Sequence, residues 1–188
     1  MYQICVSGAA RGESVEEGKE LARRAGAAIA EAGHALLTGA TIGLPNYAAE
    51  GYKAAGGTMS LGISPASSKI EHVRKYRLPT EAYDVILYSG LHYVGRDSLL
   101  ITSSDAVVSI GGRLGTLHEF TIAMESDTPI GFLQGAGGVS SQIAGLMELA
   151  QPIKPSAIVL FEDDPEVLVR NLTLALDAEH IKYKEIYA

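Results

Sequence analysis

Apolar and polar positions fall in blocks along the chain, and the blocks differ in period. Short apolar runs at residues 2–6, 35–38, 58–63, 83–88, 106–110, 129–133 and 157–161 read as strands. Between them, apolar residues recur at helical spacing. Leu21, Ala25, Ala28, Ile29 and Ala32 form the first stripe; Ser14 and Glu17 precede it at capping-box spacing, and Gly33 ends it. A second helix is expected to about Ala55, where Gly56-Gly57 stops it. A third carries Gly95-Arg96-Asp97-Ser98-Leu99-Leu100, a fourth runs from the Gly111-Gly112 turn to about Ser126, and a fifth covers about 140–150. The last is capped by Asp163 or Asp164, opens on Pro165 and continues through Leu172 and Leu176 to near Tyr183. The polar segment 66–80, with Lys69, Arg74, Lys75 and Arg77, reads as a loop over the site.

Strands that alternate with helices predict an α/β fold: a Rossmann-like three-layer sandwich with a mainly parallel sheet of about seven strands. No linker or internal repeat divides residues 1–188, so one domain is expected. In such sheets ligands bind beyond the carboxyl ends of the strands. Ser7-Gly8, Gly39-Ala40-Thr41, Ser64-Pro65, Ser89-Gly90 and Gly111-Gly112 are expected to converge there.

Composition narrows this picture. The chain has 188 residues, enough for a sizeable core, and 21 glycines that fall mostly at the ends of apolar runs. A formal net charge of −7 argues against a broad nucleic-acid surface, though not against a local nucleotide site. The single cysteine, Cys5, sits in an apolar run and reads as a buried structural thiol; no disulfide framework exists. No basic region and long apolar core mark a secretory signal, and no apolar run approaches the ~20 residues of a membrane helix. A cytoplasmic protein without membrane partners is expected.

The candidate chemistry centres on Ser109-Ile110-Gly111-Gly112-Arg113-Leu114-Gly115-Thr116-Leu117-His118-Glu119-Phe120. This is a glycine-rich strand-to-helix turn, with Thr116 near the helix start and Glu119 in its first turn. Free N–H groups and the helix dipole make such a turn an anion site. Several standard motifs are missing. After strand one the spacing is Gly8-Ala9-Ala10-Arg11-Gly12, not the dinucleotide fingerprint, and neither a P-loop nor a G-x-S-x-G elbow occurs. The five histidines have no metal-ligand spacing, so neither metal nor cofactor is expected. Taken singly, each candidate has an ordinary reading. Glu119 can serve the helix dipole, Arg96 a surface ion pair, Thr116 a helix cap, His118 a pocket rim, and the glycines tight turns.

Taken together, the residues resemble the LOG (Lonely Guy) family, once mislabelled lysine decarboxylases. Gly112 and Leu114-Gly115-Thr116-Leu117-His118-Glu119 are similar to its P-G-G-x-G-T-x-x-E signature, with Gly111 at the proline and Arg113 at the second glycine of the G-G pair. Arg96-Asp97 resembles its R-K or R-N element. Residues 39–46 are similar to its G-G-G-x-x-G-L-M element, and 56–65 to G-G-x-x-x-G-I-x-P. The resemblance runs from strand one to about Glu125. It implies a homodimer or larger homo-oligomer that hydrolyses the N-glycosidic bond of a nucleoside 5′-monophosphate, with Arg96 and Glu119 as the catalytic pair. Gly111, Gly112, Arg113, Gly115 and Thr116 would hold the phosphate; Ser7, Gly8, Thr38 and Gly39 are candidates for ribose or base contacts. The wider superfamily includes nucleotide-sensing domains, DNA-processing proteins and molybdenum-cofactor carriers. Gly111-Gly112 in place of Pro-Gly resembles that branch more, so a non-catalytic nucleotide- or molybdenum-cofactor-binding carrier is the alternative.

Overall fold

Residues 1–151, 153–154 and 156–183 are described by the structure, a computed structural model. Seven apolar runs become strands: β1 (Gln3–Gly8), β2 (Ala35–Thr38), β3 (Ser60–Ser64), β4 (Val85–Tyr88), β5 (Ala106–Ile110), β6 (Ile130–Leu133) and β7 (Val159–Glu162). Among the described residues they form one seven-stranded sheet, parallel throughout, in the order β4-β3-β2-β1-β5-β6-β7. The connecting helices are α1 (Glu13–Glu31), α2 (Leu44–Ala54), α3 (Lys69–Arg74), α4 (His92–Thr102), α5 (Leu114–Glu125), α6 (Ile143–Leu149) and α7 (Pro165–Lys182).

Period-two alternation divides the core. Ile4, Val6, Leu36, Val108 and Leu133 point to one face, where α1, α2 and α7 pack. Cys5, Leu37, Val107, Ile130 and Phe132 point to the other, with Leu100 and Ile101 of α4, Phe120 of α5 and Ile143 of α6. The strands are apolar on both sides because both faces are covered. Cys5 is wholly buried, and burial pushes its thiol pKa up, as expected of a structural cysteine.

The chain builds outward from β1 to β4, then returns to add β5 on the other side of β1. That reversal parts the flanking connections beyond β1 and β5 and opens a crevice at their carboxyl ends.

Three local expectations are corrected. Helix α1 starts at Glu13 with Gly12 (φ 99°) at its N-cap and no side-chain cap, so Ser14 lies inside the helix. A positive-φ glycine makes the turn instead of the expected capping box. Segment 66–80 is not a bare loop. It contains α3, capped by Ser68 Oγ, which accepts from Glu71 N at 3.2 Å. Buried His72 pins it: Nε2 donates to Pro79 O (2.9 Å), and Nδ1 accepts from Ser64 Oγ (2.8 Å). In α5, Leu114 is the first residue, so Thr116 is third and Glu119 sits in the second turn. At the last helix the sequence reading holds: Asp164, not Asp163, caps α7 and accepts from Val167 N at 2.9 Å.

Helices α1 and α2 touch backbone to backbone. A Cβ on Gly26 would lie 1.9 Å from Ala48 O, and one on Gly51 would lie 2.1 Å from Arg23 O. Overpacking costs about 1–3 kcal/mol, occasionally more. Gly26→Ala is therefore expected to lower unfolding free energy by at least about 2 kcal/mol in urea titrations. Gly145→Ala, whose Cβ would meet nothing within 4 Å, is expected to leave it unchanged or raise it slightly.

Candidate functional site

A cleft of about 240 Å³ opens at the crevice beyond β1. Ser7 and Gly8 enter it from the end of β1, Gly39 and Thr41 from the end of β2, and Arg113, Gly115, Thr116 and Glu119 from the β5–α5 connection. Tyr93, Arg96 and Asp97 of α4 form the remaining wall. Eight of the expected residues thus meet in one place: Ser7, Gly8, Gly39, Arg96, Arg113, Gly115, Thr116 and Glu119.

Gly111 and Gly112 stand behind the cleft and shape it. Their φ values of 57° and 93° carry the chain from strand into helix. A Cβ on Gly112 would fall 1.9 Å from Thr116 Oγ1. The β6–α6 connection buttresses this turn: Ser140 Oγ donates to Gly111 O at 2.5 Å, and Val139 N to Gly112 O at 2.9 Å. Thr38 is buried with its hydroxyl 2.9 Å from Tyr83 Oη and accepting from Ala40 N at 3.0 Å, so it holds the β2 turn rather than lining the cleft. Ser64-Pro65 and Ser89-Gly90 also lie off the cleft. They follow β3 and β4, and Ser89 Oγ donates to Ser64 O at 2.6 Å. Segment 66–80 contributes no lining residue, because it packs at the β3–β4 end of the sheet.

At the floor lie the charges. Arg96 is 5% exposed and Glu119 8%. Arg96 occupies the space a side chain at residue 39 would need: a Cβ on Gly39 would lie 1.6 Å from Arg96 Nη1. Its Nη2 is 3.3 Å from Asp97 Oδ1, while its buried Nε has no hydrogen-bond partner among the described residues. Asp97 also lies 3.2 Å from His118 Nδ1, and an ionised Asp97 fixes the proton on that nitrogen. Ser7 Oγ donates a short hydrogen bond to Glu119 Oε2.

Burial, reinforced by the negative charge of Asp97, lifts the Glu119 pKa to about 7; Ser7 and Arg96 oppose the rise. Burial also raises the Asp97 pKa, against Arg96 and His118. The pocket therefore holds two carboxylates around one guanidinium. Reading the sequence for motifs finds Glu119 and Arg96 and gives Asp97 no role of its own; it also misses Tyr93 and Pro45, whereas Thr41 lies at the strand end expected to converge there. The i, i+3, i+4 spacing of Tyr93, Arg96 and Asp97 is the signal that joins them on one helix face.

Among the described residues, no helix is long and apolar enough to cross a membrane. Among the described residues, no group of three or more metal-ligating side chains is placed to hold an ion.

This fold agrees with the comparisons. Residues 1–167 match the SLOG cluster4 family, and the chain belongs to that family. An uncharacterized protein of Archaeoglobus fulgidus is 34% identical over 134 residues, 71% of this chain and 81% of that protein. Among solved structures, TM1055 superposes with a TM-score of 0.79 at 24% identity, covering 93% of this chain and 99% of that one. The molybdenum cofactor carrier protein of Chlamydomonas reinhardtii superposes with a TM-score of 0.75 at 25% identity, covering 94% and 98%.

The raised Glu119 pKa has a consequence for stability. In the unfolded chain this group titrates near 4.5, in the fold near 7. Between those values the folded state holds the extra proton, so stability falls as pH rises and reaches its lower level above pH 7. Glu119→Gln removes the charge and keeps an acceptor for Ser7. Above pH 7 the variant is expected to be more stable than the parent by roughly 2–3 kcal/mol. Below pH 4.5 the difference should vanish. Denaturant titrations at pH 4, 6 and 8 read this directly.

Proposed function

We propose that the protein hydrolyses the N-glycosidic bond of a nucleoside 5′-monophosphate, releasing a free base and ribose 5-phosphate. The observation that carries this reading is the buried Glu119 carboxylate, facing the cleft beside Arg96 and one and a half turns from the N-terminus of α5. Three groups of different chemistry stand along one path: an anion site, a carboxylate and a guanidinium.

The α5 N-terminus, with Gly115, the Thr116 hydroxyl and Arg113 at the mouth, receives the phosphate; Gly111 and Gly112 supply the turn that presents it. The ribose then lies over Glu119. As the C1′–N bond breaks, the departing base takes the bonding electrons and positive charge builds at C1′ and the ring oxygen. An ionised Glu119 stabilises that charge. Water supplies the new C1′–O bond, and its proton leaves to the base. Arg96 holds the sugar-phosphate in place and keeps Glu119 partly ionised. Ser7 fixes the carboxylate orientation. The reaction requires no cofactor.

A homodimer or larger homo-oligomer in the cytoplasm belongs to the same reading. Exposed Leu91, Val94 and Leu114, at the starts of α4 and α5, supply apolar surface for self-association. A second reading, a carrier for molybdenum cofactor or a nucleotide, draws support from the likeness to the Chlamydomonas reinhardtii carrier over nearly the whole chain. Under it the same cleft binds without turnover.

Incubation with purine and pyrimidine monophosphates is expected to release free base, followed by chromatography. Glu119→Gln should lower the rate by about 100-fold or more while nucleotide binding persists. Because the ionised carboxylate is the working form, kcat/KM should rise with pH through about 7. Binding with no release across the panel would leave the carrier reading.

Gly115 gives a separate test. Its Cβ would meet nothing within 4 Å, so Gly115→Ala is expected to leave the fold intact or stabilise it by about 0.5–1 kcal/mol. The added methyl would stand where the phosphate approaches the backbone. Calorimetry should show weaker binding of adenosine 5′-monophosphate despite the unimpaired fold.

A further inference from the structure

The cleft has an aromatic wall that the hydrolytic chemistry does not use. Tyr93 lines it and is 46% exposed. It precedes Arg96 by three residues on α4, so the two residues share one helix face, their Cβ atoms about 5–6 Å apart. The ring is braced. Tyr76 packs against it edge-on, with centroids 5.6 Å apart at 78°. The Tyr76 hydroxyl and His92 Nδ1 share a hydrogen bond of 2.7 Å, and Lys75 Nζ lies 5.3 Å over the Tyr76 ring. The segment that carries Tyr76 is anchored in turn by buried His72, bonded to Ser64 and Pro79.

A half-exposed aromatic ring, braced by a second ring on the wall of a cleft that also holds charged groups, is a surface prepared for another flat group. The start of α5, through Arg113, Gly115 and Thr116, lines the same cleft, as do Glu119 and Arg96. We propose that Tyr93, supported by Tyr76, is the platform on which the planar heterocycle of the ligand stacks. The inference rests on the nucleotide reading above and assigns it an orientation: phosphate on α5, sugar over Glu119, base against Tyr93. Stacking addresses the π-face of a base and not its hydrogen-bonding edge. The site therefore accepts more than one base, purines most strongly because their rings are larger.

Calorimetry on the full chain tests this, in a Glu119→Gln background so that the ligand stays whole. The probes are adenosine 5′-monophosphate and ribose 5-phosphate, which differ by the base. Tyr93→Ala is expected to weaken binding of the nucleotide about tenfold or more and to leave ribose 5-phosphate unchanged. Tyr93→Phe, which keeps the ring, should restore nucleotide affinity. Undiminished nucleotide binding by Tyr93→Ala would overturn the proposal. Equal loss of both ligands would overturn it too, since that marks a structural role. If the parent binds neither probe, the nucleotide reading itself falls and the platform with it. Binding of both probes with no effect of Tyr93→Ala refutes the platform alone.

Discussion

Burial of one guanidinium sets the terms for the rest of the site. A charge taken out of water needs compensation nearby, and Arg96 finds it in Asp97 and in Glu119 across the floor. The compensation is geometric as well as electrostatic. Only a residue without a side chain leaves room for the guanidinium at the end of β2, and Gly39 stands there. Ala40 follows with φ 50°, a conformation non-glycine residues seldom adopt, and Thr38 Oγ1 secures it by accepting from its N–H. The β2 turn is thus bent around Arg96. The Arg96 Nε is buried without a hydrogen-bond partner among the described residues, a cost this packing carries.

The sheet explains why this cluster lies where it does. With β1 central and the chain reversing at β5, the connections on either side of β1 diverge. The crevice that results is lined by turns at the ends of β1 and β2 and by residues of α4 and α5. Glycines at positive φ make these turns, and they interlock: a Cβ on Gly138 would lie 2.4 Å from Gly112 O. The Gly111-Gly112 turn is therefore held from behind by the β6–α6 connection. A preorganised anion site needs such support, since N–H groups that must rearrange on binding lose much of their advantage.

Much of this was legible along the chain, and what was not has definite causes. Runs such as Ala106–Ile110, followed by Gly111-Gly112, announce strand and turn because both faces of the sheet are apolar. Helix starts were read less well. At α1 the turn into the helix is made by the backbone conformation of Gly12, which the Ser14 and Glu17 spacing does not show; at α5 the Gly111-Gly112 turn is legible, but the helix begins at Leu114, which puts Glu119 in the second turn. Helix α3 was hidden because six residues with one buried side chain give no periodic stripe. Ser7 and Glu119 are 112 residues apart, so no spacing rule joins them. Asp97 was visible only as part of a motif; its work of bridging Arg96 and His118 emerges once α4 and α5 pack together.

The raised pKa of Glu119 connects the energetics of the empty cleft to the proposed reaction. Two carboxylates share one cation, so in the free protein the second negative charge is unfavourable. A bound phosphate adds further negative charge and competes for Arg96, which disfavours ionised Glu119 still more in the ground state. Positive charge developing on the sugar reverses the balance. The acid is thus least comfortable before the bond breaks and best matched while it breaks, which is the differential that accelerates a reaction.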